Sequence, residues 1–341
     1  MTPGRGPNRP RFPLSLIHPL GPLFRRLPLS LRRHLLYLRH HQQWGNFRNP
    51  KKYTEKIQWR ILHDRRDLIA LTCDKSASKA YVNQIIAQDP RARDLRVAQI
   101  TWTSQDNRSL RDHLNQNKSP QVLKPNHSSG RYVFIGDSDQ TPPIEELTRL
   151  VSAWAQPDEE SEVFGHWGYG QARVGVFSEE RIGRLDGNLV EIRCATFSGE
   201  PISYVVTSNV YTRNQTAIAY DADFNRMKIG FKTEVQAHHV GALEQLSEER
   251  REELIGIIRA VSAPFDHVRV DIYDDGHAFW FGELTSYPSS GALTYTPEVE
   301  RRRGDLWKLP STGPDGFVTD DTSQAADIWR QSRAAPLKSG H

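Results

Sequence analysis

Cysteine is scarce in this sequence: Cys73 and Cys194 are the only two among 341 residues. Two cysteines form no disulfide framework, and these two lack the spacing of a zinc site. No stretch approaches the roughly 18 consecutive apolar residues of a membrane-spanning helix, and the mean hydropathy is −0.64. No G-x-S-x-G elbow and no motif around either cysteine predicts a catalytic nucleophile. We therefore predict a polar protein of the reducing cytoplasm.

Acidic residues are absent from the first part of the chain. Residues 1–54 contain eleven Lys and Arg and no Asp or Glu, whereas the remainder carries 34 basic and 41 acidic residues. The Leu- and Arg-rich arm, residues 1–45, is interpreted as disordered, as docked on the body, or as a weak peripheral contact with an anionic membrane. It lacks the apolar core and cleavage site of a secretory signal. No nucleic-acid-binding motif accompanies the basic residues, so nucleic acid is not an expected partner.

The segment 265–291, FDHVRVDIYDDGHAFWFGELTSYPSSG, carries the most informative local pattern. Two apolar runs flank a central Asp-Gly pair, which predicts a β-hairpin. Each run contains one acid, Asp271 or Glu283, and a buried carboxylate is costly unless it is paired or binds a metal. Hard oxygen ligands suit Mg²⁺, and Arg269 shares a strand face with Asp271 because side chains alternate. Two acids facing water are the alternative interpretation.

The register of this hairpin decides whether the two acids meet. A two-residue turn at the Asp-Gly pair aligns Asp271 with Trp280 and leaves Glu283 on the opposite face. A shared metal ion therefore requires a wider loop or a one-residue bulge. We expect this irregularity at His277 or Ala278.

A second candidate site is the segment 121–130, QVLKPNHSSG. Lys124 ends a predicted strand, and the backbone N–H groups of Ser128, Ser129 and Gly130 can approach phosphate oxygens. The segment is not a Walker A motif, and an ordinary hairpin loop is the alternative. Other charged candidates lie at the ends or on the faces of predicted elements: Lys75, Glu179, Glu180, Glu191 and Arg193.

The rest of the pattern alternates helices with short strands. Apolar spacing and end signals predict helices at 52–63, 67–86, 110–115, 143–155, 246–261 and 323–333. β-Rich runs predict strands at 96–102, 121–124, 131–136, 173–178, 188–197 and 201–208. The segment 156–170 is expected to be a mobile loop. This mixture indicates an α+β fold with antiparallel pieces.

Five motifs, in this order, resemble the ATP-grasp superfamily. They are NFRNPKKYTEKIQW, DKSASKAYV, VLKPNHSSG, VFSEERI, and the pair VRVDIY and FGELTSYPSSG, between about residues 46 and 310. Their order and spacing are most similar to the TupA-like branch, which is associated with teichuronopeptide and surface-polysaccharide biosynthesis. The hairpin also looks like the metal-binding hairpin of D-alanine–D-alanine ligases, which belong to the same superfamily.

The resemblance implies an ATP-grasp fold, in which two α+β subdomains and a small lid clasp ATP between them. ATP and Mg²⁺ are the implied cofactors. The chain is thereby divided into a basic arm at 1–45, an N-terminal subdomain at 46–118, a lid at 119–182, a C-terminal subdomain with the metal hairpin at 183–310, and a polar tail at 311–341.

The resemblance also implies roles for residues that bind the nucleotide. Contact with the ATP phosphates is implied for Lys75 and Lys124. The loop that closes over the phosphates includes His127, Ser128, Ser129 and Gly130. The hinge that holds adenine and ribose includes Glu179, Glu180 and Ile182.

Further roles concern the metal and the reacting groups. Asp271 and Glu283 are the implied Mg²⁺ ligands, and Thr285 stands where many superfamily members have an asparagine ligand. The implied catalytic residues are Arg269, Lys124 and Arg193. Glu191 lines the site between lid and C-terminal subdomain, and Arg213 is the candidate for binding the acceptor carboxylate. An exposed loop arginine is the alternative for Arg213.

The implied activity is that of an ATP-dependent carboxylate–amine ligase, which forms an amide through an acyl phosphate. Its expected partners are a small-molecule or glycan-linked carboxylate, such as a uronic acid or an amino acid, and an amine. Two alternatives stay open: a phosphotransferase acting on a sugar hydroxyl, and a non-catalytic nucleotide-binding assembly protein. The sequence leaves the pathway and the oligomeric state open.

Overall fold

Helices and short strands alternate along the chain. The computed structural model describes residues 21–136, 141–183, 189–210, 215–230 and 243–334. Its helices are α1 Gly21–Arg26, α2 Leu29–His41, α3 Tyr53–His63, α4 Asp67–Cys73, α5 Lys75–Gln88, α6 Leu110–Gln116, α7 Ile144–Trp154, α8 Glu159–Phe164, α9 Trp167–Gln171, α10 Glu248–Ser262, α11 Pro297–Leu306 and α12 Gln324–Ala334. No helix among these described residues is both long and apolar enough to cross a membrane.

The strands form two sheets. They are β1 Arg96–Val97, β2 Ile100–Ser104, β3 Gln121–Pro125, β4 Val133–Ile135, β5 Val176–Glu180, β6 Val190–Phe197, β7 Glu200–Ser208, β8 Thr216–Asp221, β9 Arg226–Met227, β10 His267–Asp274 and β11 Phe279–Thr285. The large sheet has the order β1-β11-β10-β6-β7-β8-β9, and the small sheet has the order β2-β5-β3-β4. Antiparallel pairs dominate, and β1 joins β11 in parallel. The predicted α+β class is confirmed.

One face of the large sheet is buried under the helices α4, α5, α10 and α12. The even-numbered residues of four strands point into this core: Val190, Ile192 and Cys194 of β6, Tyr204 and Val206 of β7, Ile218 and Tyr220 of β8, and Val268, Val270 and Ile272 of β10. Because side chains alternate along a strand, the odd-numbered residues face the other side. This alternation brings the polar residues of β6 and β10 onto one surface.

The small sheet has an apolar core of its own. Trp102 of β2, Leu123 of β3 and Val133 of β4 pack with residues of α6 and α7, including Leu110 and Val151. The run 96–102, predicted as one strand, is split, because Arg96–Val97 joins the large sheet and Ile100–Ser104 joins the small one. The predicted lid boundary at 119 therefore cuts through the small sheet, whose edge strand β2 precedes it.

The segment predicted to be a mobile loop and the predicted polar tail are both packed against the body. The segment 156–170 contains α8 and most of α9, and Phe164 is buried there. In the predicted polar tail, Val318 N donates to His63 O, and α12 buries Ala325 and Trp329 in the core of the large sheet. Apolar residues spaced along a helix explain this packing, which polar composition alone does not predict.

The described part of the N-terminal arm is docked on the body. Helix α2 buries Leu36 and Tyr37, and the Tyr37 hydroxyl bonds to Thr54 Oγ1 at 3.1 Å. Of the three interpretations of the arm, docking on the body holds for residues 29–41. The first 20 residues lie outside the described part of the chain.

Candidate active site

A bulge in the hairpin brings the two predicted metal ligands together. Asp271 pairs with Glu283, but the next pair is Ile272 with Phe281, so Gly282 is the extra residue. Phe279 and Phe281 point into the core. Without the bulge, the alternation of side chains would point Glu283 to the same side of the sheet. The loop is wider than two residues at His277 and Ala278, as one predicted alternative had it, but the bulge that changes the face of Glu283 lies at Gly282 and not there. Those two residues belong to a four-residue loop between Asp274 and Phe279.

Glycine is required at the bulge for a steric reason. A Cβ atom at position 282 would lie 2.8 Å from the carbonyl oxygen of Asp271. That distance is far below ordinary van der Waals contact, so a side chain would push the two strands apart. The glycine thus permits the close backbone approach that places both carboxylates on one face.

The two carboxylates converge on one guanidinium group. Arg269 Nε donates to Asp271 Oδ1 at 2.7 Å, and Arg269 Nη2 lies 2.5 Å from Asp271 Oδ2 and 2.9 Å from Glu283 Oε1. The Thr285 hydroxyl donates to Glu283 Oε1 at 3.1 Å. Asp271 is 2% exposed. Burial raises the pKa of Asp271, and the Arg269 charge only partly offsets this because Glu283 and Glu191 oppose it.

Charged side chains also occupy the same face of the neighbouring strand β6, and together with those of the hairpin they form a charged row. Arg193 is directly opposite Asp271, and Glu191 is opposite Tyr273. Arg193 Nη2 donates to Thr207 Oγ1 at 2.6 Å, and its Nε lies 3.4 Å from Glu191 Oε2. The large sheet therefore presents a continuous polar face across β11, β10, β6 and β7.

A buried carboxylate in the small sheet is bound by two lysines. Glu179 of β5 is 5% exposed, its Oε1 contacts Lys124 Nζ, and its Oε2 lies 2.9 Å from Lys79 Nζ. Burial raises the pKa of Glu179, but the two lysine charges outweigh burial and lower it. Sequence reasoning missed Lys79. The available signal was its position four residues after Lys75 on α5, which puts both lysines on one helix face.

Lys75 lies between the small sheet and the hairpin. Its Nζ contacts Ser128 O in the loop after β3. Burial, partly opposed by the Glu283 carboxylate and reinforced by the Lys124 charge, lowers the pKa of Lys75 to about 8. Glu283 and Lys124 are therefore both within electrostatic reach of Lys75, which links candidates from the lid, α5 and the hairpin.

The loop after β3 is anchored at its start by Asn126 and His127. Asn126 Oδ1 accepts from Ser76 N at 2.9 Å, and Asn126 Nδ2 donates to Arg173 O at 2.9 Å. His127 is 2% exposed, and its Nε2 lies 2.7 Å from Gln156 O. His127 thus contacts the backbone of the segment before α8. Ser128 is 1% exposed, and Gly130 has a φ of 71°, a conformation that favours glycine.

Three further predicted residues lie away from the charged row or outside the described chain. Glu180 Oε1 accepts from Gln99 N at 2.9 Å, where the chain crosses between the sheets. Ile182 is half-buried just after β5. Arg213 lies outside the described residues.

The turn that follows β11 is held in an unusual conformation. Ser289, Ser290 and Gly291 are all left-handed, with φ values of 48°, 56° and 68°. Non-glycine residues in this region carry a cost of about 1 kcal/mol or more each. The cost is offset by side chains around the turn: Ser290 Oγ lies 2.9 Å from Nε2 of His166, whose ring stacks on Tyr287.

Arg33 of α2 fixes the same turn from the arm side. Its Nη2 donates to Ser290 O at 2.8 Å and to Gln58 Oε1 at 2.5 Å, and its Nη1 donates to Phe164 O at 3.2 Å. Arg33 is 2% exposed, and burial lowers its pKa to about 9. Sequence reasoning missed this residue, because the basic arm offered no signal that distinguished one arginine from another.

The number of carboxylates at this site bears on which metal ion it could bind. Within the described ranges, no group of three or more His, Cys, Asp and Glu side chains is arranged to hold a metal ion by itself. Asp271 and Glu283 form a pair of carboxylates instead. A pair is the donor set expected of Mg²⁺ bound together with phosphate oxygens, whereas zinc and calcium sites in proteins use more protein ligands.

Sequence comparison decides the family. The sequence model of the TupA-like ATP-grasp family matches residues 55–308. The chain belongs to the TupA-like ATP-grasp family. This match confirms the resemblance and the fold class predicted from the motifs. A search of curated proteins finds no match.

Three solved structures have weak overall similarity to this TupA-like protein. D-alanine–D-alanine ligase from Bacillus anthracis, complexed with ATP, is 17% identical over 77% of this chain and 66% of that chain, with a TM-score of 0.37. VanG D-Ala:D-Ser ligase from Enterococcus faecalis is 14% identical over 70% and 61%, with a TM-score of 0.35. The ATP-grasp ligase PsnB, complexed with minimal precursor, is 12% identical over 70% and 60%, with a TM-score of 0.34. The chain thus spans about three fifths of the length of the last two structures.

Proposed function

We propose that this protein is an ATP-dependent carboxylate–amine ligase. The observation that supports the proposal most strongly is the convergence of Asp271 and Glu283 beside Arg269 on the polar face of the large sheet. Family membership and the lysines at the edge of the small sheet support the same activity. The use of ATP would place the reaction in the cytoplasm.

The two carboxylates fit Mg²⁺. They are hard oxygen donors on paired strands, and Mg²⁺ at nucleotide sites is held by one or two carboxylates together with phosphate oxygens. On this face two arginines, Arg269 and Arg193, lie among three carboxylates, Asp271, Glu283 and Glu191. Lys75, which is within electrostatic reach of Glu283, is a third positive charge near these acids. Asp271 and Glu283 would hold the ion beside Thr285, and Mg²⁺ supplies charge neutralisation at the phosphates.

Lys75 and Lys124 would bind the ATP phosphates. Lys124 now contacts Glu179, so binding a phosphate would draw it away from that carboxylate. Lys79 would remain on Glu179 and keep it ionised, because Lys79 is also held by Ala98 O at 2.9 Å. We assign Glu179, Glu180 and the backbone at Ile182 to the side of the site that holds adenine and ribose.

The proposed reaction has two steps. A carboxylate oxygen of the substrate attacks the γ-phosphorus of ATP, which forms an acyl phosphate and releases ADP. The amine nitrogen then attacks the acyl carbon, the C–N bond forms, the C–O bond to phosphate breaks, and the amine loses a proton. Arg269 and Arg193 would stabilise the negative charge that develops on the reacting oxygens.

No enzyme nucleophile is required by this reaction. Cys73 and Cys194 are both buried. Burial raises the pKa of the Cys73 thiol to about 12 and raises that of Cys194 further. The thiolate is the reactive form of cysteine, so neither side chain is suited to covalent catalysis.

We infer that the carboxylate belongs to a uronic acid or an amino acid, free or linked to a surface glycan. The association of the TupA-like branch with surface polysaccharides supports this assignment. Glu191 and Arg193 lie on the polar face beside Asp271, where an acceptor would approach the acyl phosphate. Arg213 remains the candidate for binding the acceptor carboxylate.

Hydroxylamine trapping tests the proposed function. The purified protein would be incubated with Mg·ATP, hydroxylamine, and in turn each member of a panel of uronic acids and amino acids. Hydroxylamine replaces the amine as nucleophile, so the ligase is expected to yield a hydroxamate in step with ADP. Glu283→Ala should abolish both products, and Glu252→Ala, at an exposed position of α10, is the matched control.

Other outcomes of the same experiment would overturn the proposal. A stable phosphoester whose amount is unaffected by hydroxylamine would indicate a phosphotransferase. Mg·ATP binding by calorimetry, without ADP or hydroxamate from any panel member, would indicate a non-catalytic nucleotide-binding protein.

A further inference from the structure

Helix α2 carries an apolar stripe on its outer face. Leu31, Leu35 and Leu38 are 37%, 38% and 40% exposed, and Trp44, just beyond the helix, is 58% exposed. The three leucines are spaced by four and three residues, so they lie on one side of the helix. Four of the seven exposed large apolar residues among the described residues thus fall within 14 positions. Singly scattered apolar residues are ordinary on a surface, whereas a clustered group indicates a binding surface.

The inner face of the same helix is firmly attached to the body. Leu36 and Tyr37 are buried, and the Arg33 guanidinium bonds to Gln58, Phe164 and Ser290. The outer stripe is therefore not a core surface exposed by an unfolded segment. It belongs to a helix whose orientation on the body is fixed.

Trp44 is positioned next to this stripe by a ring stack. The Trp44 ring stacks parallel to His34 at a centroid distance of 4.6 Å, and His34 also stacks on Phe47 at 4.1 Å. Trp44 nevertheless stays more than half exposed. Tryptophan in such a position is typical of the interface between lipid headgroups and acyl chains, because the indole has an apolar body and a polar N–H.

The segment that carries the stripe is basic, and the acids Glu159 and Glu162 of α8 lie beside Arg25 and Arg32. The first 54 residues contain eleven Lys and Arg and no Asp or Glu. Arg39, next to Leu38, is exposed, as are Arg26, Arg48 and Lys51. A leucine stripe bordered by arginine matches a surface that has anionic headgroups above acyl chains.

We propose that the outer face of α2, formed by Leu31, Leu35, Leu38 and Trp44, docks the protein on an anionic lipid membrane. The leucines would enter the boundary between headgroups and acyl chains, and Arg39 would lie at the lipid phosphates. A second copy of the chain fits this face less well. In a two-fold dimer the same patch meets itself, so the acid-free basic segments of both copies would face each other and repel. The inference does not depend on the proposed ligase activity.

Vesicle flotation tests the proposal with full-length protein. The vesicles are phosphatidylcholine alone, or phosphatidylcholine with phosphatidylglycerol at a ratio of about two to one. Binding is expected with phosphatidylglycerol only, and it should weaken between about 50 and 500 mM salt. The triple variant Leu31→Ser, Leu35→Ser, Leu38→Ser should bind about tenfold less, because its exposed apolar surface no longer transfers into lipid. The matched control is Leu293→Ser, Leu306→Ser, Phe317→Ser, since those residues are 39%, 39% and 37% exposed but scattered.

Several results would overturn the proposal. Equal flotation of the wild type and the α2 triple variant would reject the leucine stripe as the lipid-binding surface. Loss of flotation in a variant lacking residues 1–20, with normal flotation of the triple variant, would move lipid binding to that segment. A concentration-dependent dimer in sedimentation equilibrium that the triple variant abolishes, without vesicle binding by the wild type, would assign the face to a second copy. Thermal melting of every variant serves as the folding control.

Discussion

Asp266 and Asp271 lie five residues apart, and their surroundings are opposite in electrostatic character. Asp266 accepts from Arg60 Nη2 at 2.6 Å, Arg66 Nη2 at 2.8 Å and Trp307 Nε1 at 2.6 Å. Burial raises the pKa of Asp266, but these partners outweigh burial and hold it well below the usual range. Asp271 shares its single arginine with Glu283, and its pKa is raised.

The two regions differ because one charge network is complete and the other is not. Around Asp266, the carboxylates of Asp64 and Asp266 are matched by the guanidinium groups of Arg60 and Arg66. On the polar face of the large sheet, Asp271 and Glu283 share one guanidinium group, that of Arg269, and Lys75 is within electrostatic reach of Glu283. A buried network that the protein completes by itself serves stability. A network in which the pKa of an acid stays raised, as at Asp271, is suited to bind a cation.

The largest effect is expected from breaking the complete network. Asp266→Asn removes a charge that two buried arginines share, so we expect the free energy of unfolding to fall by about 3–5 kcal/mol. Urea denaturation at neutral pH measures this loss. Mg·ATP affinity of the folded protein should be nearly unchanged, because Asp266 lies outside the candidate site. A loss below about 1 kcal/mol would show that the network contributes little.

Breaking the incomplete network should affect turnover instead. Glu283→Ala is expected to lower the rate of ADP release by roughly 10²-fold or more, as for loss of a strong electrostatic contact in the transition state. The free energy of unfolding should change little, because removing one of two mutually repelling carboxylates relieves repulsion when no metal is bound. Parallel urea denaturation and ADP-release assays separate the two effects, with Glu252→Ala as the control. A stability loss as large as that of Asp266→Asn would contradict the comparison.

The complete network also predicts a dependence of stability on pH. His267, held by Thr196 O at 2.7 Å and Tyr53 Oη at 2.9 Å, is buried, and burial together with the Arg60 charge lowers its pKa to about 3. The unfolded chain protonates this histidine near pH 6.5 and the folded chain does not, so stability falls as pH falls below about 6.5. Between pH 7 and pH 5 this histidine accounts for a loss of about 2 kcal/mol.

Urea denaturation of the wild type and His267→Gln at both pH values checks this sign. The variant is expected to lose about 2 kcal/mol less than the wild type between pH 7 and pH 5. An equal loss in both proteins would mean that other groups govern acid destabilisation. His113→Gln is the control, because His113 is only half-buried and lies in the small sheet region.

The smallest effect is expected at Thr285. Asparagine is the commoner residue at this position in the superfamily, and it retains a polar side chain beside Glu283, so Thr285→Asn should change ADP release by no more than about twofold. Thr285→Ala, which removes the hydroxyl that donates to Glu283 at 3.1 Å, is the comparison variant. A large loss in Thr285→Asn with none in Thr285→Ala would show that the site has no room for the longer side chain.

Much of the site could be predicted from sequence because its motifs are local. The alternation of apolar residues predicts the strands at 267–274 and 279–285, and each acid is visible within its run. Lys124 and Glu179 stand at the ends of predicted strands in the same way. Lys79 could have been predicted to share a helix face with Lys75 from their spacing. Its contact with Glu179 could not, because Glu179 is about 100 residues away in the chain.

Sequence alone determined the α+β class, the family, the hairpin and the identity of its two acids, because each rests on short-range patterns and on motif order. Only the tertiary structure decided the bulge at Gly282, since that depends on Phe279 and Phe281 filling a core built by distant helices. It also decided which buried acids are fully paired, as at Asp266, and which keep a raised pKa, as at Asp271. The docking of α2 through Arg33 could likewise not be predicted from the sequence of the arm, because the partners of Arg33 lie more than 20 residues away along the chain.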